Sequence, residues 1–109
     1  MTRAVLVAWL EARRPPAPVA LRARLTAVVE GAVDADLPLP DHLALLGERV
    51  LAGVVGRPEG GRELALDLLA ADAFVTYAFE AQSETDARGL AMLAERVAKA
   101  GDPVGGRSA

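Results

Sequence analysis

The chain has no cysteine, one histidine, one lysine and four aromatic side chains among its 109 residues. Each shortage closes off some chemistry. Without cysteine there is no disulfide framework, no thiolate nucleophile and no Cys-ligated zinc or iron–sulfur site. A single histidine, His42, excludes any site that needs two from one chain. The Glu-x-x-His spacing of di-iron bundles is absent too, because position 39 is Leu39. Trp9, Phe74, Tyr77 and Phe79 are too few to build the base-stacking platform of a single-strand binder. No uncharged run approaches the ~20 residues of a membrane span. The short run Ala4 to Leu10 after Arg3 has no small-residue cleavage site behind it, so it does not read as a secretory signal. The expectation is a cytoplasmic protein that keeps clear of the membrane.

What the chain does have is apolar surface of a particular kind. Hydrophobic residues make up 52% of it and charged residues 25%, which argues for a folded core. Alanine supplies about a fifth of the residues. The net charge of −3 is unevenly spread: residues 1–30 set five arginines against two acids, and residues 31–100 set six basic groups against twelve acids. An acidic body with a mildly basic front lacks the net basic face of a nucleic-acid binder. A regulator that reads DNA with its second helix therefore has only that front to support it.

Prolines and glycines divide the chain into five segments with helical periodicity, and no alternation of period two persists. All-α is the fold class expected, as a compact bundle of about five helices. The first helix spans about 2–13 and ends at Pro15, Pro16 and Pro18. The second spans about 18–32, with Leu21, Leu25, Val28 and Val29 on one stripe. A third starts at Pro40 and stops at Gly56, and its Gly47 and Gly53 suggest close approach of a neighbour. The fourth, about 61–82, is the long apolar central helix. Ser83 or Thr85 then caps a fifth, with Leu90, Leu93, Ala94 and Val97 as its apolar stripe, ending at Gly101 and Pro103. The domain expected is 1–101, with a flexible tail over 102–109.

The fourth segment carries the most information. Leu64, Leu68, Val75 and Phe79 share one face, while Leu66, Leu69, Phe74 and Tyr77 occupy much of the remaining circumference. A helix apolar nearly all round is either central in its domain or packed on a partner. Leu66, Leu69, Phe74, Tyr77 and Phe79 are accordingly the interface candidates. The function they suggest is non-enzymatic association, as a homodimer or as an accessory or adaptor subunit docking on another protein. A rival reading takes Asp67, Asp72, Thr76 and Glu80 as ligands for a small molecule or a carboxylate-bound metal. Structural roles explain the same residues more simply. Asp67, set among apolar positions, needs a charge partner such as an arginine of the second helix, and Asp72 and Glu80 fit a solvated stripe. His42 reads as an exposed first-turn residue. The glycine-rich stretch 56–62 lacks the Lys-Ser/Thr of a phosphate loop and follows no strand, so it reads as a helix connection. No catalytic residue, cofactor or metal is assigned.

Overall fold

The computed structural model describes residues 2–57 and 60–101. All the regular structure in them is helical: α1 (Arg3–Glu11), α2 (Val19–Gly31), α3 (Leu39–Val55) and α4 (Arg62–Gly101). There are four helices rather than about five. The expected tail over 102–109 lies outside the described residues.

Local chemistry accounts for the ends. Thr2 caps α1, its Oγ1 accepting from the Val5 amide at 3.3 Å. The prolines at 15, 16 and 18 hold the connection to α2 open, with the Arg14–Pro15 peptide cis. Pro40 sits in the first turn of α3, where its missing N–H leaves nothing unpaired, and Asp41 follows it at the positive end of the helix dipole. Gly61, at φ +103°, turns the chain into α4 through a conformation that costs glycine little.

The break expected at 83–86 does not form. Nothing from 83 to 100 other than Gly89 interrupts helix propensity, and Ser and Thr inside a helix cost only tenths of a kcal/mol. The polar side chains are taken up by the helix itself. Thr85 Oγ1 donates to the Ala81 carbonyl at 3.0 Å, and Gln82 Nε2 donates to Asp86 Oδ1 at 2.9 Å. The 40 residues of α4 span about 60 Å at 1.5 Å per residue. The molecule measures 69 × 28 × 23 Å, so the expected compactness holds for the bundle and not for the whole. The first half of α4 packs chiefly on α3 and also on α2, and α1 packs on α2. Residues 82–99 are exposed throughout and project as an arm.

The core combines Leu6 and Leu10 of α1, Leu25 and Val29 of α2, and Leu43 and Leu46 of α3 with one face of α4. That face is made almost entirely of small residues. Ala70, Ala71, Ala78 and Ala81 are buried, and Phe74, at 0% exposure, is the one large apolar group α4 sends to the centre. Gly47 of α3 matches it. A Cβ at Gly47 would lie 3.1 Å from Val75 Cγ2, 3.2 Å from the Ala71 carbonyl and 3.2 Å from Phe74 Cβ. Close approach is therefore the reason for Gly47. It is not the reason for Gly53, which has no neighbour within 4 Å.

The two glycines separate packing from propensity. Gly53→Ala fills open space and is expected to gain about 0.5–1 kcal/mol, raising the melting temperature by a few degrees. Gly47→Leu must push α3 off α4 and is expected to lose about 2 kcal/mol or more. Thermal melts followed by circular dichroism measure both.

Candidate functional site

Three features stand out on this scaffold: two arginine–carboxylate clusters and the outer face of α4. The first cluster centres on Asp67, which is 8% exposed. Its Oδ1 accepts from Arg24 Nη1 of α2 at 2.6 Å and its Oδ2 from Arg57 Nη1 at 2.5 Å. Arg24 also reaches Glu63 Oε2 at 2.5 Å. Each carboxylate oxygen of Asp67 thus has its own guanidinium, and the cluster ties the start of α4 to α2 and to the end of α3. The charge of this carboxylate is thus met from within the chain.

The second cluster ties α1 to the middle of α4. The Arg13 guanidinium lies 3.7 Å from the centre of the Trp9 ring, which meets Tyr77 edge-on with centroids 5.8 Å apart. Arg13 Nη1 donates to Glu80 Oε1 at 2.7 Å and to Glu84 Oε2 at 2.8 Å. The bond from Arg13 holds the Glu84 carboxyl below its usual range. Burial works against the charge on Arg13, but the bonds to Glu84 and Glu80 outweigh it and raise its pKa.

The basic front of the sequence is therefore largely committed inside the molecule. Arg13 and Arg24 pair with α4, and Arg3 pairs with Asp34. Arg14 donates to the backbone carbonyls of Glu11 and Arg13.

The four ligand candidates do not converge. Asp67 and Glu80 are held in separate arginine clusters, while Asp72 and Thr76 lie exposed on the α4 surface. Among the described residues no group of three or more His, Asp or Glu side chains is placed to share a metal ion. No described helix is long and apolar enough to cross a membrane.

The interface candidates also divide. Phe74 lies at the centre of the core, so the free chain does not present it. Tyr77 and Leu66 are half-buried, Tyr77 against Trp9. Leu69 and Phe79 are exposed. With alanines inward, the large residues of α4 face out: Leu68, Val75 and Phe79, then Leu90, Leu93 and Val97 on the arm. At 100° per residue these six fall within about 60° of arc, because a step of eleven residues returns to nearly the same direction. Leu68, Phe79 and Leu90 are eleven apart, as are Val75, Asp86 and Val97. Asp72 and Asp86 are the polar positions in the strip. Beside its first half runs a groove of about 310 Å³ between α3 and α4. Gly47 and Ala71 form its floor, and Leu51, Glu48, Leu68, Asp72 and Val75 form its walls.

Sequence reading placed Leu90, Leu93 and Val97 in the bundle, as the packing face of a separate helix. The signal that they continue the Leu68–Phe79 strip was present in the eleven-residue spacing, and the expected cap at Ser83 or Thr85 hid it.

His42 differs as well. It is 1% exposed rather than on the surface, and its Nδ1 has no hydrogen-bond partner. Burial lowers its pKa from the ordinary 6.5, helped by Arg49 and opposed by Asp34.

No family model, no curated protein and no solved structure matches this chain.

The buried imidazole predicts a pH dependence. Below pH 6.5 the unfolded chain binds a proton at His42 that the folded chain resists, so stability falls as the pH drops from 7 toward 5. His42→Leu should flatten that slope. Urea titrations at a series of pH values measure it, and a variant with an unchanged slope would contradict the assignment.

Proposed function

We propose that this protein works by association, as a non-enzymatic helical subunit whose contact surface is the outer face of α4. The observation that carries this reading is the strip of large apolar residues along that helix. Phe79 is 71% exposed, Leu90 68% and Val97 63%. Single exposed apolar residues are ordinary, but a strip that resumes beyond Asp86 along an exposed arm is the kind of surface a partner covers. The arm adds a second argument. The arm continues a packed helix, but apart from the Glu84–Arg13 pair its residues 82–99 lie exposed, and exposed side-chain pairs along a helix add only tenths of a kcal/mol. A partner that covers the strip supplies the missing stabilisation.

The fold itself has no need of Leu90 and Leu93. The double substitution Leu90→Ser with Leu93→Ser should leave the bundle's melting temperature within about 2 °C and abolish association. Sedimentation velocity, with affinity capture from the native cell, reads the association. A native chain that stays monomeric and retains no partner sensitive to these two substitutions would contradict the reading.

A further inference from the structure

We infer that the partner is a second copy of this chain, paired antiparallel, with the arm of each protomer lying on the α3–α4 groove of the other. This inference rests on the association reading above and names its occupant. Three observations support it.

The first is register. The strip has matching halves: Leu68 and Val75 are seven residues apart beside the groove, and Leu90 and Val97 are seven apart on the arm. A two-fold axis passing between residues 82 and 83 sets Val97 of one chain opposite Leu68 of the other and Leu90 opposite Val75, with Asp72 and Asp86 falling opposite Leu93 and Phe79. From 83 to 101 the arm extends about 28 Å, and the groove side from Leu68 to Phe79 extends about 16 Å, so the arm covers it fully.

The second is charge. Along α4, residues 62–86 hold one arginine against six acids, and residues 87–101 hold Arg88, Arg96 and Lys99 against Glu95. The acids of the first half that face the groove are Asp72, with Glu48 beside it on α3. Antiparallel pairing lays the basic arm over these acids, whereas parallel pairing opposes like to like. The two-fold also keeps equal offsets on the same side of both helices. Arg96 lies on the edge of its helix that corresponds to the α3 side, so it falls beside Glu48 of the other chain.

The third is area. Leu51 together with the six strip residues makes seven side chains, between 41% and 71% exposed. At roughly 100 Å² apiece they offer about 700 Å² per chain, close to the ~800 Å² per partner of a stable interface.

The cysteine-free chain makes the geometry directly testable. Leu68→Cys with Val97→Cys in one chain places its two thiols about 43 Å apart along α4, too far for a link within a protomer. In the antiparallel pair the two thiols face each other across the interface. A short bismaleimide should convert most of this double variant to covalent dimer, whereas Leu68→Cys alone and Val97→Cys alone should stay single. Light scattering of the unmodified chain at 100 µM should give twice the chain mass. Leu90→Ser with Leu93→Ser should raise the dimer Kd at least about 100-fold. Strong cross-linking of either single-cysteine variant would show a parallel pair and overturn the inference while leaving association intact. A monomeric mass at 100 µM, including one accompanied by binding to lipid vesicles or to a different protein, would also overturn it. The association reading itself falls only if affinity capture is empty as well.

Discussion

The structure depends on how closely α3 approaches α4. Gly47 has no side chain, and opposite it α4 presents alanines and the backbone around Ala71 and Phe74. The helices close to within van der Waals contact because Gly47 adds no bulk where Ala71, Phe74 and Val75 approach it. The consequence lies on the other side of α4. A helix that spends its inward face on alanine has its leucines and valines elsewhere, and here they point outward. Core and exposed strip are two results of one choice of where the small residues sit.

Charge follows a similar logic. The basic first 30 residues and the acidic α4 appear in the sequence as an asymmetry that could have served an external polyanion. In the fold Arg13 and Arg24 reach across to Glu80, Glu84, Glu63 and Asp67, and the asymmetry becomes the means by which α1 and α2 are fixed to α4. Ion pairs as exposed as Arg24 with Glu63 add little stability, but bonds from two guanidiniums to one carboxylate, as at Asp67, orient what they join. Of the α4 acids outside these clusters, Asp72 and Asp86 lie on the apolar strip.

Helix class, the ends of the first three helices and the need of Asp67 for a charge partner were legible in the sequence, because each depends on local pattern. Proline positions and an acid among apolar neighbours speak for themselves. The continuity of α4 was not legible in the same way. Ser83, Thr85 and Asp86 are good caps and also tolerable helix residues, and the choice between these roles is made by free-energy differences of tenths of a kcal/mol. The inward turn of Phe74 and the burial of His42 were hidden for another reason. Both depend on which side of a helix a neighbour occupies, and a nearly all-round apolar helix such as 63–82 leaves that undetermined. Gly47 and Gly53 looked alike for the same reason, yet only one faces α4.

An exposed apolar strip continuing onto an unpacked helical arm is an unbalanced arrangement in water, and the account holds that association balances it. Hydrogen exchange of the arm's amides between residues 86 and 97, followed as a function of protein concentration, tests this most directly. Protection of these amides should rise with concentration while that of the buried α3 amides stays constant. Exchange over 86–97 that is fast and independent of concentration, with no added partner able to slow it, would contradict it.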